Sequence, residues 1–133
     1  MTKTLMIQGT SSGAGKTTLV TALCRIFSNQ GYSVAPFKSQ NMSNYSYSDG
    51  FEISQAQAIQ AVAARTIISP HMNPILLKPL GNYVSNVVIQ GKPYKKMSAK
   101  TYYEKFALRQ GIKIAMESFA YLKSKHEIGR AHV

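Results

Sequence analysis

The chain has 133 residues, 44% of them hydrophobic, which predicts one globular domain with a moderate core. No apolar run approaches the ~20 residues that span a bilayer, and the start lacks the pattern of a secretory signal. We therefore expect a cytoplasmic protein with no membrane partner. The single cysteine, Cys24, excludes an internal disulfide and a cysteine zinc cluster, and its apolar neighbours predict a small buried side chain.

The formal net charge of +11 raises the question of a nucleic-acid partner. Basic residues of the C-terminal half, such as Lys105, Arg109 and Lys113, spread along one predicted helix face, which is typical of a solvated surface. An acidic small substrate would also suit a basic cleft. We therefore expect no nucleic-acid partner.

The chain opens with the pattern of a strand, a helix and a second strand. Residues 4–8 are predicted to form a buried strand, residues 16–30 an amphipathic helix and residues 32–37 the next strand. Gly31 follows the helix as a C′ glycine. This order predicts an α/β fold with a parallel sheet. The helix is predicted to bury Leu19, Leu23, Ile26 and Phe27.

A glycine-rich loop joins the first strand to the first helix. Gly-Lys-Thr-Thr at residues 15–18, between a strand and a helix, is typical of a phosphate-binding P-loop. Glycines let backbone N–H groups approach phosphate oxygens, Lys16 would reach the β- and γ-phosphates, and Thr17 would offer its hydroxyl to Mg²⁺. The first glycine, Gly9, stands one position earlier than in the usual pattern. The residues predicted to hold a nucleoside triphosphate are Thr10, Ser11, Ser12, Gly13, Ala14, Gly15, Lys16, Thr17 and Thr18.

The later segments are predicted as a loop, two helices and two short strands. Residues 39–50 are rich in Ser, Asn and Tyr and are predicted to form a loop at the C-terminal end of the second strand, where such folds place ligands. Residues 52–64 and 98–125 are predicted to be helical, and residues 75–78 and 86–90 to be short strands. The long late helix is predicted to bury Leu108, Ile112, Ala115, Phe119 and Leu122.

Acidic residues are scarce, with only five in the chain, although Mg²⁺-dependent nucleotide chemistry uses carboxylates. Glu104 and Glu117 lie among basic residues of the late helix, where helix ion pairs explain them. Glu52 has two open interpretations, because residues 49–52 have the form of a capping box and the same carboxylate could bind metal or substrate. No apolar strand after the P-loop ends in an acid, so the second acidic motif that is usual in P-loop enzymes is missing.

Several motifs occur in a fixed order along the chain: residues 5–10 and 15–25 around the loop, Ala-Pro-Phe-Lys at 35–38, Gln-Asn-Met at 40–42, Glu52-Ile53, Ala56-Gln57-Ala58, and Met-Asn-Pro-Ile-Leu-Leu-Lys-Pro at 72–79. Together they resemble the cobyric acid synthase family, the glutamine-dependent amidases of cobalamin synthesis. The resemblance covers residues 1 to about 125 and implies a P-loop NTPase-type parallel sheet with flanking helices, truncated here and similar to dethiobiotin synthetase and the partition-type ATPases.

The resemblance also implies a reaction and the residues that perform it. ATP and Mg²⁺ would activate a corrinoid carboxylate as an acyl phosphate, and ammonia from a glutaminase domain that this chain lacks would displace the phosphate. The implied residues are, as catalytic groups, Lys16 and Lys38; as substrate contacts, Gln40 and Asn41; and as Mg²⁺ ligands, Thr17 and Glu52.

The end of the chain departs from the family. Residues 127–133 match one reading frame of a common sequencing-adapter oligonucleotide, so we expect residues 1–126 to be the N-terminal part of the ligase domain and residues 127–133 to be a non-native tail. We expect the isolated chain to bind ATP weakly and to have little amidase activity. Two alternatives remain: a dethiobiotin synthetase-like ligase, disfavoured by the motif at 40–42, and a partition-type ATPase, disfavoured by Ser11 where such proteins often carry a lysine.

Overall fold

The chain contains both strands and helices and opens with a strand–helix–strand unit. The computed structural model describes residues 2–11 and 13–132, with residues 129–132 described by their backbone alone. The order confirms the α/β class. The elements are β1 (Lys3–Ile7), α1 (Lys16–Asn29), β2 (Val34–Phe37), β3 (Gln40–Met42), β4 (Ser46–Ser48), β5 (Glu52–Ser54), α2 (Gln55–Ala63), a 3₁₀ turn (Pro70–Met72), β6 (Ile75–Gly81), β7 (Val84–Ile89), β8 (Lys92–Ser98), α3 (Ala99–Thr101), a π-helical segment (Tyr102–Gly111), α4 (Ile112–Lys125) and β9 (Ile128–His132).

The first sheet is parallel, as predicted, and has the strand order β1–β9–β2. Ile128 pairs with Lys3 on one side and with Val34 on the other. The backbone of β9 therefore fills the space between the two strands of the opening strand–helix–strand unit and pairs the polar groups that face each other there. The non-native character of residues 127–133 stays a prediction.

Helix α1 packs through a different stripe from the predicted one. Val20 and Cys24 are fully buried, whereas Leu19 and Ile26 are exposed. The predicted burial of Leu19 and Ile26 is wrong because α2 packs against the side of α1 that carries Val20 and Cys24. The prediction of a small buried side chain at Cys24 is confirmed. The same core cluster contains Val34, Ala63, Ala64 and Ile128.

The second sheet has the order β3–β6–β7–β8, with β3 parallel to β6 and the remaining pairs antiparallel. The loop predicted for residues 39–50 is therefore wrong in part, because β3 pairs with β6 and β4 pairs with β5. The sequence did not predict β8. This strand lies at the sheet edge with its lysines exposed. Exposed lysines protect an edge strand from pairing with other chains, but they remove the apolar–polar alternation by which a half-buried strand is recognised.

Helix α2 begins at Gln55, three residues later than predicted. Glu52 lies in β5, where it pairs with Ser48 of β4. The capping box proposed for residues 49–52 is therefore wrong, and the residue at the N-cap of α2 is Ser54. Its side chain makes no capping hydrogen bond, because its hydroxyl accepts one from the amide of Asn41 at 2.7 Å.

The late helical region has the predicted extent but a different buried face. Tyr102, Phe106 and Leu122 are buried, whereas Leu108 is 79% exposed and Ile112 is also exposed. Residues 102–111 form a π-helix, whose wider turn rotates the side chains away from the spacing of an α-helix. Neither this region nor any other helix in the described part of the chain is long and apolar enough to cross a membrane.

A buried polar contact holds α4 against the 3₁₀ turn. His71 Nδ1 lies 2.9 Å from the hydroxyl of Ser118, and its ring lies 4.2 Å from the ring centroid of Tyr121. Gln90 donates to the same Ser118 hydroxyl at 3.1 Å. Burial lowers the pKa of His71, and the nearby Glu117 carboxylate opposes this only in part. The fold therefore favours the neutral imidazole.

We expect the melting temperature of the chain to fall as the pH drops below 6.5, the ordinary histidine pKa. Because the folded pKa of His71 is lowered, the unfolded chain binds the proton more tightly, and stability present above pH 6.5 is lost as the pH falls toward the folded pKa. His126, whose pKa is also lowered by burial, acts with the same sign. Thermal melts of H71Q should show a shallower slope than the wild-type chain between neutral and mildly acidic pH. An identical slope would contradict the role of His71.

Candidate nucleotide site

The glycine-rich loop connects β1 to α1 as an exposed turn. Gly13 and Gly15 have φ values of 77° and 89°, in the left-handed region that favours glycine, and Gly15 is the N-cap of α1. Ser12 lies outside the described residues. The other residues predicted to bind nucleotide lie in this turn or in the first turn of the helix, and all except half-buried Lys16 are exposed: Thr10, Ser11, Gly13, Ala14, Gly15, Thr17 and Thr18.

The side chain of Lys16 folds back across Gly9. A Cβ atom placed on Gly9 would lie 2.9 Å from Lys16 Cδ and 3.0 Å from Cγ, which is closer than carbon atoms approach. The early glycine, which departs from the usual pattern, therefore leaves the space that the lysine stem occupies. This gives the unusual spacing of the loop a steric reason.

We expect Gly9→Ala to weaken ATP binding by the chain by about tenfold, or ~1.4 kcal/mol. The lysine stem is flexible, so the added methyl group will displace the Lys16 ammonium rather than unfold the protein. Calorimetric titration with ATP measures the affinity, and a thermal melt measures whether the variant stays folded. Gly111→Ala is the matched control, because its added Cβ meets neighbours at an ordinary 3.5 Å and its backbone is helical. Equal ATP affinities of the two variants would contradict the prediction.

Lys38 follows the last residue of β2, and its backbone is fixed on both sides. Its N–H donates to the carbonyl of Met72 at 2.9 Å, and its carbonyl accepts from Asn73 Nδ2 at 3.1 Å. Burial lowers the pKa of Lys38, and the positive charge of Lys16 lowers it further. The charges of the two predicted catalytic lysines therefore interact, and their mutual repulsion favours an anion beside them.

We expect ATP affinity to fall as the pH rises from neutrality toward 10.5, the ordinary lysine pKa. Phosphate charge favours the protonated form of Lys38, so binding takes up a proton wherever the lowered pKa leaves this amine partly neutral. Titrations in two buffers of different ionisation enthalpy measure that uptake. K38M should lose it, and K105M, at an exposed helix position, should keep it. Equal uptake in wild type and K38M would refute the assignment.

The predicted substrate residues lie on β3, directly beyond Lys38, and face opposite ways. Gln40 Oε1 accepts a hydrogen bond from the hydroxyl of Tyr102. Asn41 Nδ2 donates to the hydroxyl of Ser54 at 2.7 Å and to Gln57 Oε1 at 3.3 Å. Alternation along a strand explains the arrangement, because successive side chains point to opposite faces. Both residues are partly exposed and close in sequence to the lysine pair.

Two buried glutamines of α2 were missed as site residues by the sequence reasoning. Gln60 Nε2 donates to the backbone carbonyl of Thr17 at 3.4 Å, and Gln57 contacts Asn41. Both side chains are fully buried, yet Gln60 Oε1 and Gln57 Nε2 have no hydrogen-bond partner among the described residues. Burying an unpaired amide group is costly. The signal was available, because two glutamines three positions apart occupy the inward face of an alanine-rich helix.

Glu52 forms an ion pair with Lys78 of β6. Its Oε1 is 2.8 Å from Lys78 Nζ, and its backbone N–H donates to the carbonyl of Gly91. Within residues 2–11 and 13–132, no hydrogen bond or ion pair joins Glu52 to the glycine-rich loop. The same residues contain no cluster of three or more His, Cys, Asp or Glu side chains that could hold a metal. The metal role of Glu52 stays a prediction.

The sequence is similar to a nucleotide-binding family and to named enzymes. A family model described as the CobQ/CobB/MinD/ParA nucleotide binding domain matches residues 5–130. A cobyric acid synthase of Thermoanaerobacter sp. is 53% identical over 126 residues, which is 93% of this chain and 24% of that protein. A cobyric acid synthase of Thermodesulfovibrio yellowstonii is 50% identical over 130 residues, which is 96% of this chain and 26% of that protein. The chain thus spans about a quarter of the length of these curated relatives. No solved structure matches it.

Proposed function

Because the chain belongs to the CobQ/CobB/MinD/ParA nucleotide binding domain family, we propose that it is the ATP-binding part of a cytoplasmic ligase of cobalamin biosynthesis. The proposed reaction is the ATP-dependent amidation of corrinoid carboxylates, from cobyrinic acid a,c-diamide to cobyric acid, with ammonia derived from glutamine. The observation that carries the proposal is the pair Lys16 and Lys38, at the ends of neighbouring elements and beside the polar strand β3.

Each lysine has a distinct proposed role. When bound, ATP would supply the phosphoryl group that activates the carboxylate as an acyl phosphate, from which ammonia displaces phosphate to give the amide. Lys16 would hold the β- and γ-phosphates over the loop. Lys38 would lie between the γ-phosphate and the carboxylate, where a fixed positive charge offsets the repulsion of two anions. The hydrogen bonds of Met72 and Asn73 to the Lys38 backbone would hold that charge in place.

The residues near Thr17 fit a Mg²⁺ ion that travels with the nucleotide. Mg²⁺ keeps several waters and uses one or two protein oxygens beside the phosphates, so the Thr17 hydroxyl suffices as a first ligand. Gln60 Oε1 is a buried acceptor without a hydrogen-bond partner among the described residues, on the side chain that contacts the Thr17 backbone. It could accept a hydrogen bond from a water molecule bound to Mg²⁺. Glu52, whose Oε1 lies 2.8 Å from Lys78 Nζ, would be the second protein ligand.

Two other functions fit the same loop less well. A dethiobiotin synthetase-like ligase or a partition-type ATPase would use the same glycine-rich loop to bind nucleotide. The named relatives are cobyric acid synthases, and the loop has Ser11 where partition-type proteins often carry a lysine. The ammonia would come from a glutaminase domain of the whole protein, and we expect residues 1–133 alone to have little amidase activity.

The proposal is tested in a chimera in which residues 1–126 replace the matching segment of the Thermoanaerobacter protein. We expect the chimera to convert cobyrinic acid a,c-diamide to cobyric acid when ATP and glutamine are supplied. Mass spectrometry measures the product. K38M should lower the rate by about a hundredfold or more, as expected for a charge that acts in the transition state. K105M should leave the rate unchanged. A folded, ATP-binding chimera that makes no amide would overturn the proposal.

A further inference from the structure

An apolar pocket of about 170 Å³ lies in the second sheet, on the side that carries Tyr102. Its walls come from β3, β6, β7, β8 and the start of the late helical region, and they present almost no polar atoms. A space of this size is large enough for a benzene-sized group. The lining side chains used below are Met42, Tyr83, Ser85, Val87, Met97 and Tyr102.

The rim of the pocket carries an aromatic side chain at a strained position. Asn82 and Tyr83 form the two-residue turn between β6 and β7, with φ values of 51° and 57°. Such turns favour glycine at the second position, because a bulky residue is strained in the left-handed region. Tyr83 is nevertheless 89% exposed, and its carbonyl accepts a hydrogen bond from the N–H of Ala99 at 2.7 Å. The ring therefore contributes little burial to the fold and is held at the pocket edge.

The pocket is connected to the candidate site through β3. Gln40 and Met42 lie on one face of this strand, where Gln40 meets the hydroxyl of Tyr102 and Met42 lines the pocket. Lys38 lies four residues before Met42, a span of at most about 13 Å along an extended chain. One large ligand can therefore reach from the lysine pair to the pocket.

We propose that this pocket binds an apolar edge of the corrinoid macrocycle while a carboxylate of the same molecule faces Lys38; this rests on the function proposed above. A corrinoid carries methyl groups and carboxylate side chains around one ring system, so it needs an apolar contact and a cationic contact at a fixed separation. The pocket supplies the first and Lys38 the second. A nucleotide base fits the pocket poorly, because its polar edge would find few partners on these walls.

The test measures binding of cobyrinic acid a,c-diamide to the full 133-residue chain by equilibrium dialysis, read by the visible absorbance of the corrinoid. S85F fills the pocket from β7, and we expect at least a tenfold loss of corrinoid affinity. N86F places the same ring on the opposite face of the strand and should leave the affinity within about twofold of wild type. All three proteins should bind ATP equally.

A second variant keeps the test independent of folding defects. Y83G relieves the strained turn, so its melting temperature should stay equal or rise while corrinoid affinity falls. Wild-type corrinoid affinity in both S85F and Y83G, or absence of corrinoid binding by a wild-type chain that binds ATP, overturns the inference. If the chimera is active and S85F leaves its KM for the corrinoid unchanged, the assignment of the pocket is rejected while the proposed function stands. Absence of turnover by the unmutated chimera rejects the proposed function instead.

Discussion

One buried amide, that of Asn73, joins the elements that carry the candidate site. Its Nδ2 donates to the carbonyls of Lys38 and Ile75, each at 3.1 Å, and its Oδ1 accepts from the backbone N–H of Ser54 at 3.0 Å. The side chain thus ties the end of β2 to the start of β6 and to the junction of β5 with α2. One side chain therefore satisfies backbone groups of three separate segments, and its loss would weaken all three connections together.

The polar connection continues from Ser54 toward the ligand side of the sheet. The Ser54 hydroxyl accepts from Asn41, and Asn41 also donates to Gln57 on α2. Farther along α2, Gln60 reaches the backbone of Thr17 in the first turn of α1. The first turn of α1, which follows the glycine-rich loop, and the polar strand β3 therefore contact the same face of one short helix. A displacement of α2 would alter both sides of the candidate site together.

Local signals in the sequence predicted the parts of the fold that depend on neighbouring residues. The glycine-rich loop, α1, β2 and the extent of the late helical region follow from spacing and apolar periodicity. The buried face of α1 was wrong because packing against α2 decides it, and no pattern within α1 records that partner. The edge strand β8 was missed because its exposed lysines give no apolar alternation.

Within the site, the same division between local and distant contacts holds. Lys16 and Lys38 could be paired in advance because the resemblance to the cobyric acid synthase family implied a catalytic role for both. The ion pair of Glu52 with Lys78 could not be predicted, because it joins β5, which pairs with β4, to β6 of a different sheet. The role of Gly9 could not be predicted either, because it depends on a contact with the side chain of Lys16, seven residues later in the chain.

The alternation of β3 has a consequence for how this region tolerates change in length. Gln40 and Met42 face the pocket side and Asn41 faces α2, so a single inserted or deleted residue after Lys38 would exchange the two sets. Substitutions in β3 can alter one contact at a time, whereas a shift of one position alters all three at once. Related proteins should therefore vary in the identity of these side chains far more readily than in the number of residues between the lysine and the strand.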